Sequence, residues 1–204
     1  MDYVKTVAAR HSAYMLDDNL KEAGVSQLDV LDTLRAVASN VPSSYNTQSV
    51  RMFVLFGEDH RKLWAMVEDI LRAKVDDDKK FKRTEAKLRS LAKGAGTVLF
   101  YELDSLTDEV IESNPKYAGQ MRTWAEHGNA MAQYASWLAF YDLGLGANIQ
   151  HYNPIIDDRV KETFSIPDGY RLVAQMVFGR VTYEGDRKDK VPGHEIVKLA
   201  RAKE

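Results

Sequence analysis

Three clusters of polar side chains along the sequence have the residue types that bind anionic, hydrogen-bonding ligands. The first cluster is Arg10-His11-Ser12, the second spans residues 42–48, and the third spans residues 187–190 and reads Arg-Lys-Asp-Lys. Arginine holds a phosphate through two parallel hydrogen bonds, lysine adds a point charge, and hydroxyl and amide groups bond neutral polar atoms. The clusters form one site only if the fold brings them together.

The second cluster, Pro-Ser-Ser-Tyr-Asn-Thr-Gln, also has an interpretation that involves no ligand. Pro42 disfavours helix at Val41, and Ser43 and Ser44 can cap a helix that begins next. Taken alone, the segment is more typical of a capped turn than of a binding site. In combination with the other two clusters it favours a polar site at a helix N-terminus, where anions and polar ligands bind well.

Several classes of enzyme are excluded by motifs that the sequence lacks. It has no cysteine, which excludes thiolate nucleophiles, disulfides and cysteine-ligated metals. It has no Gly-x-Ser-x-Gly motif and no Walker loop, and no Gly-x-Gly-x-x-Gly follows a predicted strand. The histidines show no metal-binding spacing; they are His11, His60, His127, His151 and His194. Any redox chemistry would therefore use a bound electron carrier outside a dedicated Rossmann domain.

The composition favours a globular protein without a nucleic-acid or membrane partner. The chain has 204 residues, of which 45% are hydrophobic, and a formal net charge of −2. A chain of this size can bury one core, so we expect a single domain over residues 1–204. Basic and acidic residues are interspersed, and no apolar run is long enough to span a bilayer. The predicted location is the cytoplasm.

Hydrophobic periodicity predicts helices separated by short buried strands. We expect helices over residues 3–9, 26–39, 60–74, 82–93, 104–113, 122–143 and 156–164. Continuous apolar runs predict strands at 52–56, 97–101 and 172–178, and residues 147–152 are expected to form a short strand or an extended loop. Residues 182–192 are polar and predict an arm that lies over the surface or on a partner.

The predicted helix at residues 122–143 is apolar almost all around its axis, with Trp124, Met131, Tyr134 and Trp137 on different sides. Such a helix has to be enclosed. In a chain of this size a second subunit supplies part of the cover more easily than the chain itself, so we predict a homodimer built on this helix.

The order of the three clusters resembles the FMN-dependent nitroreductase family. In that family an N-terminal Arg-x-Ser meets a Pro-Ser-Ser-x-Asn-x-Gln segment, and basic residues near the C-terminus approach the flavin phosphate; both of the first two motifs are complete here. The chain is most similar to a compact branch that includes the fungal fatty-acid-repression nitroreductases and the bacterial copper-induced nitroreductase. It shares with that branch Val-Leu-Phe-Gly-Glu at 54–58 and Gln-His-Tyr-Asn-Pro at 150–154.

The resemblance implies a fold, a cofactor and a set of binding residues. The fold is α+β and nitroreductase-like, with a mixed central sheet flanked by helices, in an intertwined homodimer that holds FMN at each end of its interface. The implied cofactor-binding residues are Arg10, His11, Ser12, Ser43, Ser44, Asn46, Gln48, Gln150, His151, Lys188 and Lys190.

The implied roles follow the parts of FMN. Arg10 and the two lysines would meet the phosphate, while Ser12 and Ser44 are sized for ribityl or phosphate oxygens. Asn46 and Gln48 both donate and accept, as the pyrimidine edge of the flavin requires. By resemblance, residues 43–48 would reach a flavin held mainly by the other subunit.

Two departures from the larger members of the family leave contacts open. Those members place Pro-x-Glu-Gly after the central helix, whereas this chain has Gln150-His151. His151 either donates a proton near flavin N5 or only shapes the pocket. The larger members also use an Asn and a Lys before their second strand, and the corresponding residues 87–93 contain no Asn.

The predicted reaction is ping-pong hydride transfer from NADH or NADPH to flavin N5 and then to a small nitroaromatic or quinone-like acceptor. One alternative is a flavin-binding regulator of stress or lipid signalling whose turnover is incidental. Another is a dimeric small-ligand or structural module that has lost its flavin. The presence of Arg10, Ser12, Asn46 and Gln48 together with the C-terminal lysines argues against this last alternative.

Overall fold

The computed structural model describes residues 2–75, 77–185 and 187–201 and shows helices packed on both faces of one sheet. The helices are α1 (Tyr3–Ala9), α2 (Gln27–Asn40), α3 (Gly57–Arg72), α4 (Asp78–Leu91), α5 (Asp104–Ser113), α6 (Ala118–Asp142), α7 (Asp157–Phe164) and α8 (Gly193–Ile196). The strands are β1 (Met15–Asp17), β2 (Val50–Phe56), β3 (Gly96–Leu103), β4 (Gly146–Gln150) and β5 (Tyr170–Tyr183). Among these described segments, no helix is both long and apolar enough to cross a lipid bilayer.

The long strand β5 organises the sheet. Its first part pairs with β3, its middle with β4 and its end with β1, and β2 lies on the far side of β3. The predicted α+β class is confirmed, but the strand directions differ from the mixed sheet that we expected. All four ladders are antiparallel, and the only parallel pairing among the described residues is the bridge between Ser12 and Ala147.

The connection between β2 and β3 explains this difference. The chain leaves β2 through α3 and returns through α4, so β3 begins beside the residue at which β2 ends, with Phe56 opposite Gly96. Two consecutive helices thus bring the chain back to the same end of the sheet, which makes the neighbouring strands antiparallel. Apolar periodicity reports which residues are buried and carries no information on strand direction.

The two faces of the sheet belong to two cores. Val98 and Phe100 of β3 pack with α2 and α6, whereas Leu99 and Tyr101 pack with α3, α4 and α7. This alternation follows from the two-residue repeat of a strand. Both faces are covered, which is why the strands read as continuous apolar runs in the sequence.

Most predicted elements are present with shifted ends. The central helix α6 begins four residues earlier than expected, and β5 continues to Tyr183, so the first part of the predicted polar arm is strand. Residues 187–190 of that arm are exposed, and Asp186 lies outside the described residues. Strand β1 was not predicted because three residues are too few to show a repeat.

A single chain does not fully enclose α6. Its inner face carries the polar residues Asn129 and Gln133, which are buried and joined by a 2.9 Å hydrogen bond. Its outer face exposes large side chains instead, with exposed fractions of 42% for Met131 and 38% each for Tyr134 and Tyr141. Part of the cover for this helix is therefore missing from the single chain.

Candidate functional site

The first and third polar clusters meet in a cavity of about 470 Å³, which we call the cationic cavity. Its lining includes Arg10, His11, Ser12, Arg187, Lys188 and Lys190. Residues at opposite ends of the sequence meet because Ser12 and Ala13 pair with Ala147 of β4, while β5 carries the chain to Tyr183 at the cavity wall. Glu184 is the one acidic residue among the described residues of the lining.

Arg10 is the least satisfied side chain of this cavity. Its guanidinium carbon lies 4.3 Å from the ring centroid of Trp137, and its Nε and Nη1 are buried without a hydrogen-bond partner among the described residues. Leaving a buried donor unpaired costs roughly 1 to 3 kcal/mol, and more for a charged group. An arginine held in this way is poised to bind an anion.

His11 is held by its neighbours in the cationic cavity. Its Nδ1 lies 3.3 Å from the carbonyl oxygen of Ala9, and its Nε2 lies 3.2 Å from Glu184 Oε2 but outside hydrogen-bond geometry. The contact with Glu184 ties the end of β5 to the end of α1. This arrangement places the imidazole beside Arg10 and close to the carboxylate of Glu184.

A second cavity of about 570 Å³ lies beside the first, and Tyr14 lines both of them. It brings Gln150 together with Arg83 and Lys87 of α4. Gln150 is buried, and its Nε2 donates to Asn148 Oδ1 at 2.7 Å. Asn148 in turn donates to the carbonyl oxygen of Ala13 at 2.7 Å, so a buried amide chain ties this cavity to the motif that begins at Arg10.

Arg83 and Lys87 were not among the predicted site residues. Residues 87–93 were only identified as the segment that corresponds to a flavin-contacting segment in larger members of the family. The two side chains are four residues apart and therefore lie on one face of α4. Lys87 Nζ lies 5.3 Å from the ring centroid of Tyr152, two residues after Gln150. The sequence shows α4 as a largely exposed charged helix, so only the tertiary fold identifies these cations as cavity residues.

Residues 43–48, which we call the lip, do not have the predicted conformation. Ser44–Asn46 form a short 3₁₀ turn, and Ser43 Oγ accepts a hydrogen bond from the backbone nitrogen of Gln48 at 2.9 Å. The expectation that Ser43 caps a helix is therefore wrong. Gln48 Nε2 also donates to Asn46 Oδ1 at 2.9 Å, so the lip is stabilised by its own side chains.

The lip lies apart from both cavities within one chain. It packs against α6 near Gly128, where an added Cβ would lie 3.7 Å from Ser43 Cβ. Asn46 and Gln48 are exposed, and none of residues 43–48 lines the cationic cavity or its neighbour. The structure thus brings the first and third clusters together and leaves the second one facing outwards.

The remaining predicted residue, His151, is exposed and lines neither cavity. In the part of the chain that the structure describes, no three His, Asp or Glu side chains are grouped as a metal site would require. The arrangement can bind a phosphate in the first cavity and a polar ring edge in the second.

Comparisons with known proteins identify related chains. The model of the nitroreductase family matches residues 8–180. The Saccharomyces cerevisiae protein HBN1, which is named as a nitroreductase, is 30% identical over 177 residues that cover 87% of this chain and 86% of HBN1.

Solved structures agree with this relationship. The nitroreductase CinD from Lactococcus lactis, in complex with nicotinic acid, matches with a TM-score of 0.88 and 29% identity over 98% of this chain and all of CinD. CinD has also been solved in complex with 4-nitrophenol. A nitroreductase with bound FMN from Desulfitobacterium hafniense shares the fold, with a TM-score of 0.69 and 14% identity over 97% of each chain.

Proposed function

Because the chain belongs to the nitroreductase family and is thus an oxidoreductase, we propose that it binds FMN and transfers hydride from NADH or NADPH to nitroaromatic or quinone-like acceptors. The observation that carries this proposal is the half-buried side chain of Arg10, whose buried Nε and Nη1 have no hydrogen-bond partner among the described residues and which lines a cavity with further cations. This is the environment that the phosphate of FMN requires.

The cationic cavity suits a phosphate in charge and in donor type. Arg187, Lys188 and Lys190 line it with Arg10, against the single carboxylate of Glu184 among its described lining residues. A phosphate carries a charge of about −2 near neutral pH and offers several acceptor oxygens. Each charge-assisted hydrogen bond contributes roughly 1.5 to 3 kcal/mol, so two or three of them would contribute about 3 to 9 kcal/mol to the binding of the cofactor.

The second cavity suits the polar edge of the isoalloxazine ring. Gln150 would hold the pyrimidine edge, and Lys87 would place a positive charge near N1 and O2, where reduction of the ring accumulates negative charge. Lys87 would thereby take the place of the flavin contact that larger members of the family make with residues before their second strand. Ser12 would bind the ribityl chain between the two cavities.

The redox chemistry that bound FMN would supply is hydride transfer from NAD(P)H to the acceptor; with a proton from solvent, a quinone would become a hydroquinone, and a nitro compound would become a nitroso compound and water. The chain itself would bind, orient and shield the reacting ring. Because both substrates would use the same open face in turn, the kinetics would be ping-pong. We assign no obligatory acid role to His151, which is exposed and lines neither cavity.

A second copy of the chain completes the proposed site. Asn46 and Gln48 are exposed and lie outside the two cavities of their own chain. The outer face of α6 exposes Met131 and Tyr134, which a partner subunit would cover. We therefore propose a homodimer in which the lip of one subunit reaches the flavin that is bound by the other.

A reconstitution experiment tests this function. The purified chain is incubated with FMN, and binding is followed by the flavin absorption band and by quenching of flavin fluorescence. We expect about one FMN per chain and oxidation of NADH or NADPH by menadione with parallel double-reciprocal lines. Protein that stays colourless after reconstitution would contradict the proposal, whereas bound FMN without turnover would favour a regulatory flavoprotein.

A further inference from the structure

Three aromatic side chains form a cluster beside the lip, and neither core of the protein includes them. They are Tyr45 of the lip, Tyr117, and Trp124 of α6, which we call the aromatic cluster. The Tyr45 ring is stacked on Trp124 with centroids 6.5 Å apart and an interplanar angle of 17°. Tyr117 lies 6.1 Å from Tyr45 and 5.6 Å from Trp124, so each ring contacts the other two.

The cluster leaves one ring facing outwards. The exposed fraction of Tyr45 is 51%, while Tyr117 and Trp124 are half-buried behind it. Burying an aromatic ring is among the largest stabilising contributions available to a small protein. A half-exposed tyrosine supported by two aromatic rings therefore has a surface suited to stacking another flat group.

The backbone at this position is strained. Tyr45 and Asn46 have φ angles of 54° and 52°, in the left-handed region that a bulky side chain adopts at a cost. Such a residue costs about 1 to 3 kcal/mol and occurs most often at ligand sites and switches. In this backbone conformation the Tyr45 ring stacks on Trp124, and Asn46 Oδ1 accepts a hydrogen bond from Gln48 Nε2.

The position of Tyr45 in the chain links the cluster to the proposed cofactor. Ser44 and Asn46, its two neighbours, are residues that we propose to reach the flavin of the partner subunit. A ring between two flavin-contacting residues lies close to the space where the second substrate meets the flavin. Nitroaromatic and quinone rings are flat and electron-poor, so they stack favourably on the electron-rich faces of tyrosine and tryptophan.

We infer that Tyr45, supported by Trp124 and Tyr117, is the platform on which the ring of the electron acceptor stacks. The inference rests on the proposed function and adds to it a side chain that contacts the acceptor. Tyr45 would contact the acceptor directly, whereas Trp124 and Tyr117 would position it. The platform takes part in binding and orientation, and no proton or electron passes through it.

The test uses protein loaded with FMN and reduced with dithionite, so that the outcome is independent of the nicotinamide. The rate at which menadione, a flat bicyclic quinone, reoxidises the reduced flavin is compared with the rate for ferricyanide, a non-aromatic acceptor. Each reduced flavin consumes two ferricyanide ions. The variants are Tyr45→Asn, since asparagine tolerates the left-handed backbone, and Trp124→Leu. The control is Tyr3→Leu, because Tyr3 is 62% exposed on α1 and remote in sequence from the lip.

We expect the second-order rate constant for menadione to fall about two- to tenfold in Tyr45→Asn and Trp124→Leu, through weaker binding of the quinone. The ferricyanide rate and the FMN content should stay at the values of the wild type and of Tyr3→Leu. Tyr45→Phe, which keeps the ring, should retain the menadione rate.

Three results would overturn the platform. One is an unchanged menadione rate, and another is an equal loss with both acceptors, which would indicate a merely structural role. The third is dissociation of the dimer in Tyr45→Asn with unchanged acceptor selectivity, which would identify the cluster as a subunit contact. Failure of the wild type to bind FMN would instead reject the proposed function, so the two failures are distinguishable.

Discussion

At the scale of single residues, Arg10 is the side chain that we propose to bind the FMN phosphate. Replacement by methionine keeps an unbranched side chain against Trp137 but removes every donor, including the unpartnered Nε and Nη1. We expect Arg10→Met to weaken FMN binding at least about 10- to 100-fold, because at least one charge-assisted hydrogen bond is lost. Fluorescence titration with FMN measures this change.

Riboflavin, which lacks the phosphate, provides the internal control for Arg10. Its affinity should be nearly equal in the wild type and in Arg10→Met. Arg35→Met is the matched variant, because Arg35 is exposed and, within the part of the chain that the structure describes, pairs only with Asp32, three residues away. An FMN affinity that is unaffected by Arg10→Met, or an equal loss for FMN and riboflavin, would contradict the phosphate role.

His60 makes the stability of the protein dependent on pH. It is buried, its Nε2 donates to the carbonyl oxygen of Leu91 at 3.2 Å, and its Nδ1 accepts from the Thr97 hydroxyl at 2.8 Å. Trp64 Nε1 donates to the same hydroxyl oxygen at 3.0 Å, so the neutral imidazole is fully satisfied. Burial lowers the pKa of His60 from 6.5 to about 4.

A lowered pKa in the folded state means that protonation favours unfolding. The contribution of neutral His60 is complete above pH 6.5, which is its ordinary pKa, and is lost as the pH falls towards about 4. At about 1.4 kcal/mol per pH unit, the free energy of unfolding should decrease by roughly 2 kcal/mol between pH 7.5 and 5.0. Urea unfolding at the two pH values measures this decrease.

The variant His60→Gln separates this residue from other titrating groups. Its side chain can still donate to Leu91, and it does not titrate in this range. We expect a lower free energy of unfolding at pH 7.5 and a much smaller change down to pH 5.0. A pH dependence in the variant that equals that of the wild type would show that other groups are responsible.

At the scale of elements, Gly179 allows β5 to approach both β1 and the residue that precedes β3. A Cβ at this position would meet the backbone oxygen of Asp17 in β1 and would lie 3.0 Å from the backbone nitrogen of Ala95. Backbone atoms cannot rotate away as side chains can. We therefore expect Gly179→Ala to lower the free energy of unfolding by about 1 to 3 kcal/mol, as over-packing does in other cores.

Gly119→Ala is the matched control for Gly179. Gly119 lies in the first turn of α6, and a Cβ there would meet nothing within 4 Å. Alanine has the higher helix propensity, so this change should be neutral or stabilising by up to about 1 kcal/mol. Urea unfolding compares the two variants, and equal effects would contradict the close approach of β1 and β5 at Gly179.

Most helices and strands were predictable from the sequence. A helix that buries one face has apolar residues at helical spacing, and a strand that buries both faces is a continuous apolar run. The repeat of Leu63, Trp64 and Val67 predicts α3, and the run at residues 97–101 predicts β3. Strand β1 and the 3₁₀ turn of the lip were not predictable, since three residues show no repeat. Strand direction depends on how α3 and α4 pack together, which is a tertiary property.

At the scale of the whole molecule, the sequence predicted part of the candidate site. The basic residues near the two ends of the chain were predicted to meet the same phosphate, and the structure brings Arg10, Lys188 and Lys190 into one cavity. Lys87 and Arg83 join the second cavity only through the packing of α4 beside β4. The lip matches a family motif but lies away from both cavities, so its role in binding stays a prediction that depends on a second subunit.

A substitution on the outer face of α6 tests whether the chain forms the proposed homodimer. Met131, Tyr134 and Tyr141 are separated by three and seven residues, so they form one stripe on the helix. Aromatic residues at the centre of an interface often contribute about 2 kcal/mol or more. We expect Tyr134→Glu to raise the dimer dissociation constant more than about tenfold, as measured by analytical ultracentrifugation, whereas Tyr3→Glu leaves it unchanged.

Dissociation of the dimer should also weaken the binding of FMN. If Asn46 and Gln48 reach the flavin of the partner subunit, the monomer retains only the contacts of its own two cavities. FMN affinity in Tyr134→Glu should then fall with protein dilution in parallel with dimer dissociation, and high protein concentration should restore it by mass action. A monomeric variant that binds FMN as tightly as the wild type would show that the lip serves a purpose other than holding the flavin.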